Sequence, residues 1–83
     1  MLTTGNQLKA ARALAGIEQI ALAEASRVSI GTIRNMEATG SAVLRSGLAT
    51  ISAVQKALEA HGIEFLNHGE PGVKLKRKGQ PSG

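Results

Sequence analysis

Residues 17–37 read Ile-Glu-Gln-Ile-Ala-Leu-Ala-Glu-Ala-Ser-Arg-Val-Ser-Ile-Gly-Thr-Ile-Arg-Asn-Met-Glu. Two short helical patterns, about 18–26 and about 30–38, are separated by roughly three residues, which is the geometry of a helix-turn-helix. Ala23 stands where the two helices must approach closely; a larger side chain there would push the second helix away. Val28 and Ile33 pin that second helix, and a polar residue at Ile33 would unseat it. Ser29 is its cap, because a seryl oxygen can accept a backbone N–H of the first turn. A helix so pinned can present its N-terminal outer positions to a major groove.

Upstream, Thr4-Gly5-Asn6-Gln7 has the form of a capping box. Leu8, Ala11, Leu14 and Ala15 follow at helical spacing, with Gly16 a fitting stop, so a helix is expected over 5–15. Downstream, residues 39–47 read as a loop. A fourth helix, 48–61, carries Leu48, Ile51, Val54, Gln55 and Leu58 on one face and ends before Gly62. The expected core is Leu8, Leu22, Ala23, Val28, Ile33, Met36, Ile51, Val54 and Leu58. Beyond Gly62 the period shortens: Ile63–Leu66 and Val73–Lys76 read as two strands around a turn-rich loop. So short a hairpin must lie on the helices or pair with another chain. Three segments result: 1–62 as the helical domain, 63–78 as a strand extension with a basic tail, and 79–83 as a disordered end.

Composition narrows the class. The 83 residues include 13 Ala, a single aromatic residue, Phe65, and no Cys. Such a core suits close-packed helices, with Ala as spacer, better than a sandwich that needs β-branched and aromatic residues. Without Cys there is no disulfide framework, thiolate metal site or cysteine nucleophile. No apolar run is long enough to span a membrane, and Glu18 interrupts any secretory core near the N-terminus. The chain is therefore expected to be cytoplasmic and intact. Its net charge of +4 is uneven. Residues 1–73 hold six basic and six acidic side chains, so the whole excess comes from Lys74, Lys76, Arg77 and Lys78. Charge alone thus argues only weakly for nucleic acid.

Gln19-Ile-Ala-Leu-Ala23, Val28-Ser29, Thr32-Ile33 and Glu37 resemble the Q-x-x-L-A…V-S-x-x-T-I-x-x-x-E pattern of the Cro/lambda-repressor-like (XRE) family. The likeness reaches back to Arg12 and Gly16 and forward through the fourth helix, covering roughly 5–62. The resemblance implies a compact four-helix lambda-repressor-like DNA-binding domain, here with a short C-terminal hairpin or strand extension. It also implies a transcriptional regulator of the kind common in phages, mobile elements and toxin–antitoxin operons. The sequence departs from the pattern in having Glu18 where Ser or Thr usually caps the second helix. It has Arg27 where the turn usually has Gly; if positive φ is kept there, Arg costs on the order of 1 kcal/mol relative to Gly.

The candidate DNA-binding residues are Gln19, Arg27, Ser29, Ile30, Gly31, Thr32, Arg34 and Asn35. The resemblance gives Gln19 a phosphate contact; the plainer alternative is a polar helix opener. Arg27 brings a cation beside the groove. Ser29 caps the third helix and can face a phosphate at the same time. Ile30, Gly31, Arg34 and Asn35 share the outer side of that helix. There Ile30 could meet a thymine methyl and Gly31 allow close backbone approach, or Ile30 is a minor core contact. Thr32 can pack its methyl while its hydroxyl meets the DNA backbone. In the family pattern Arg12 and Glu37 join the first helix to the end of the third, and an arginine–carboxylate fork suits that role. His61 and His68 stand apart without clustered carboxylates, so no metal is expected. No catalytic triad, cofactor or small-molecule ligand is expected either. The tail 74–78 reads as a solvated run, a phosphate-binding arm or a membrane-surface patch without an aromatic anchor.

Two functions follow. One is a sequence-specific regulator, repressing or also activating, that binds an inverted-repeat operator as a homodimer. The other is a helix-turn-helix scaffold that binds a protein as an antiactivator or antitoxin. Dimerisation is expected through the fourth helix or through 63–78. In the latter case strand pairing would bury Ile63, Phe65, Val73 and Leu75 between two chains.

Overall fold

The computed structural model of the chain describes residues 1–66 and 72–76. Residues 67–71, read from the sequence as part of a turn-rich loop, the basic residues Arg77 and Lys78, and the end expected to be disordered lie outside them. Four helices come first: α1 (Gly5–Ala15), α2 (Gln19–Ser26), α3 (Ile30–Ala38) and α4 (Leu48–Ala60). Two strands, β1 (Ile63–Leu66) and β2 (Gly72–Leu75), then form an antiparallel hairpin with Phe65 opposite Val73. The chain is mainly helical, as expected.

The helix ends follow the capping chemistry, with local differences. Thr4 Oγ1 accepts from the Gln7 N–H at 3.1 Å, but Gln7 Oε1 accepts from the Thr3 N–H rather than that of Thr4. The box is thus half closed, and beside it Thr4 forms an isolated bridge with Val43. Helix α2 starts one residue later than expected: Glu18 is extended and its side chain caps nothing. Helix α4 ends at Ala60, with His61 as its C-cap. Strand β2 starts at Gly72 instead of Val73, since the register continues to the Leu66–Gly72 pair.

Leu8, Leu22, Ile33, Met36, Val54 and Leu58 are fully buried where α1, α2, α3 and α4 converge. Val28 is only half-buried against this core. Two residues assigned to apolar faces, Leu14 and Leu48, lie outside it at 44% and 70% exposed, and Ile20 of α2 is 61% exposed. Each sits at a helix end or on a turn that faces away from the bundle. In their place the core takes Leu2, Leu44, Ala57 and Ile63. Gln55, polar on an apolar face, has a role here: its Oε1 accepts from the Leu2 N–H at 2.8 Å and anchors the N-terminal segment.

The hairpin folds onto its own helices. Ile63 is buried, Phe65 and Val73 pack against the core, and Gln7 Nε2 donates to the Gly72 carbonyl at 2.9 Å. On the opposite side Lys76 and Glu64 pair at 3.5 Å. The apolar face of the hairpin is therefore largely covered within one chain. Of the two arrangements expected for the hairpin, β1 and β2 take the one within the chain, pairing with each other and lying on α1 and α4; Leu75, the fourth residue expected between two chains, stays 43% exposed.

Arg27 closes α2 in the left-handed region, at φ 58° and ψ 35°, and is the one non-glycine residue described there. Arg27→Gly should therefore stabilise the fold by about 1 kcal/mol, or roughly 4–8 °C in Tm for a domain this small. Thermal unfolding checks it; a lower Tm would show that the Arg27 side chain holds the turn.

Candidate nucleic-acid interface

The turn between α2 and α3 spans Arg27–Ser29. It is tight because Arg27 adopts the left-handed conformation and Val28 N–H returns to the Ala23 carbonyl at 3.1 Å. Ala23, 7% exposed, sits under this crossing as the small residue expected there. Ser29 then opens α3. Its Oγ accepts from the Thr32 N–H at 3.2 Å and lies 2.8 Å from Thr32 Oγ1. The Thr32 hydroxyl is thus tied to the cap, and its side chain is half-buried.

Below α3, Ile33 and Met36 anchor the helix in the core. Its far side carries Gly31, Arg34 and Asn35, all exposed. A Cβ on Gly31 would meet nothing within 4 Å, so the backbone there is open to close approach. Ile30 is half-buried rather than exposed as expected, since it also packs against the core. Ile30 thus makes the core contact that was one of its two alternatives, while it also lines clefts on the surface.

Two clefts meet on this face. One, of about 320 Å³, is lined by Arg12, Glu18, Gln19, Ile20, Ile30 and Arg34. The other, of about 640 Å³, is lined by Ile20, Ala23 and Glu24 of α2, by Arg27–Ser29 of the turn, and by Ile30. Gln19, Ile30 and Arg34 are therefore brought together in the first cleft, and Arg27, Ser29 and Ile30 in the second. Gly31, Thr32 and Asn35 line neither. Charge on this face is balanced: Arg27 and Arg34 are accompanied by exposed Glu18 and Glu24.

Arg12 is the second guanidinium of the first cleft, and it is committed. Its Nε and one terminal nitrogen donate to the Glu37 carboxylate at 2.7 and 3.2 Å, and the other nitrogen donates to the Ile17 carbonyl at 3.1 Å. The hydrogen bonds to Glu37 hold Arg12 above the usual arginine value; partial burial opposes this, and the charges of Glu37 and Glu18 add to it. With a raised folded-state value, the stability from Arg12's own titration is fully present below the unfolded-chain arginine value and is lost as pH rises through the raised one.

Gln19 joins the same network, its Nε2 donating to Glu37 Oε1 at 3.1 Å. The structure thus gives Gln19 an internal partner that the sequence reading did not foresee, and leaves its carbonyl oxygen and second N–H for other contacts. Ile20, given no role from the sequence, lies on the surface of α2 and lines both clefts. The signal was present: Leu22, Ala23 and Ser26 form the buried stripe of α2, and a residue two before Leu22 falls on the other side of a 3.6-residue turn.

Among the described residues no group of three or more His, Cys, Asp or Glu could hold a metal ion, and no helix is long and apolar enough to cross a membrane. No protein-family model and no curated protein matches the chain.

Proposed function

We propose that the chain is a sequence-specific DNA-binding transcriptional regulator of the lambda-repressor-like type, acting on an inverted repeat as a homodimer. The observation that carries this reading is α3. It is anchored from beneath by Ile33 and Met36 and capped by Ser29. Its exposed Arg34 makes no ion pair among the described residues. A helix held this way, preceded by a short helix and a tight turn, has the form that enters a major groove. Arg34 offers a guanidinium fork to guanine, and Asn35 an amide to adenine. One α3 spans only a few base pairs, so a second half-site one helical turn away supplies the remaining affinity and specificity. Repression by promoter occlusion is the simplest action for so small a domain.

The charge balance around the clefts favours a second reading. A face with Glu18 and Glu24 beside Arg27 and Arg34, and with apolar Ile20 between them, also suits a protein partner. In that case the motif is a scaffold that binds another regulator or a toxin.

Mobility shift with duplex DNA from upstream of the chain's own coding sequence separates the two. Arg34→Ala and Ile30→Ala should each weaken binding by about 1–3 kcal/mol, roughly 5- to 150-fold. Arg34 is exposed, so Arg34→Ala should melt like the wild type. If both variants bind the retarded duplex as the wild type does, α3 is not the reader.

A further inference from the structure

Ile20 and Ile30 come from different helices and line both clefts. Ile20 leaves 61% of its surface to solvent, although a β-branched residue on an exposed helix position gains nothing in helix propensity. Beside half-buried Ile30 it forms an aliphatic slot on the α2–α3 face. Arg34 lines the smaller cleft next to this slot. It is the free guanidinium of that cleft among the described residues, because Arg12 is held by Glu37. Glu18 lines the same cleft, and its negative charge disfavours a phosphate there while leaving a neutral base edge acceptable.

We propose, resting on the DNA-binding reading above, that this slot takes the C5-methyl group of a pyrimidine and that Arg34 reads the guanine beside it. Each half-site then contains a 5-methylpyrimidine–guanine step, and Ile20 is a specificity-determining residue on the helix that is not the reader. The chemistry matches on both sides. Thymine and 5-methylcytosine carry the same methyl group into the major groove, whereas uracil and unmodified cytosine carry none. Guanine offers N7 and O6, two acceptors that a guanidinium fork meets together. Two aliphatic side chains exclude water from a methyl group without reading the rest of the base, so the slot accepts either methylated pyrimidine.

The full chain is titrated by fluorescence anisotropy with the duplex it retards most strongly. Copies follow in which each thymine in turn becomes deoxyuridine and each cytosine before a guanine becomes 5-methylcytosine. One position per half-site, next to a guanine, should respond. There the loss of a thymine methyl weakens binding about fourfold, or the gain of a cytosine methyl strengthens it as much, the worth of one buried methyl. The responding arm identifies which methylated base the slot takes. Ile20→Ala should erase the response, with circular dichroism and Tm unchanged because Ile20 lies outside the core. A preferred duplex that ignores every such replacement overturns the methyl slot and leaves the DNA-binding reading standing. A response that persists in Ile20→Ala overturns the role of Ile20. Failure to prefer any duplex overturns both.

Discussion

Gly5→Ala is expected to destabilise the fold by about 3 kcal/mol or more, at the upper end of overpacking costs. Gly5 begins α1, where helix propensity alone would favour Ala by up to about 1 kcal/mol. Packing reverses that sign. A Cβ at this position would lie 2.6 Å from Thr39 Oγ1 and 2.8 Å from the Glu37 carbonyl oxygen, and would also collide with the Met36 carbonyl. Two of these three obstacles are backbone atoms of the last turn of α3, and they move only if that helix moves. The adjoining Asn6 N–H donates to the Gly40 carbonyl at 2.8 Å, which fixes the approach from the other side. Thermal unfolding of Gly5→Ala should fall by roughly 12–24 °C for a domain of this size. A Tm equal to or above the wild type would mean that α1 and α3 do not meet as closely as described.

Arg12→Ala should be the next most costly change, at about 2–4 kcal/mol. The Glu37 side chain is only 7% exposed, and Arg12 supplies two of its hydrogen bonds. Removal of the guanidinium leaves a sheltered carboxylate with Gln19 as its described partner. Breaking a buried pair from one side costs about 3–5 kcal/mol; the lower range applies here because Arg12 keeps 21% of its side chain in solvent. The Ile17 carbonyl loses its donor in the same step. Glu37→Gln, which keeps an acceptor and removes the charge, should cost less. Chemical denaturation of the two variants checks the order; an Arg12→Ala midpoint matching the wild type would show the fork to be dispensable.

Local chemistry made the helices readable. Thr4 and Ser29 announced two helix starts, Gly16 a stop, and the Leu22–Ala23 and Ile33–Met36 spacings the buried faces. The helix-turn-helix segment was legible as a unit because its turn is set locally: Val28 N–H returns to the Ala23 carbonyl and Ser29 caps the third helix at Thr32. Long-range relations were less so. Leu44 enters the core from a segment without periodicity, held by its N–H to the Thr3 carbonyl, and nothing local marks it. Gly5 resembles an ordinary helix opener until α3 is placed beside it. Gln19 fits a groove-facing position equally well whether or not Glu37 is within reach, so its internal hydrogen bond needed the tertiary structure. The hairpin was foreseen nearly to the residue, yet two short strands carry no information on whether their apolar face meets their own helices or another chain.

Selection from a pool of randomised duplexes tests the central claim most directly. If α3 reads bases as part of a dimer, repeated selection should enrich one inverted repeat. Its half-sites should lie about 10 base pairs apart, centre to centre, or a multiple of that. The same selection with Arg34→Ala should lose preference at one symmetric base pair while keeping the others. A pool that stays random through successive rounds, with the protein folded throughout, would contradict the account and turn the α2–α3 face over to a protein partner.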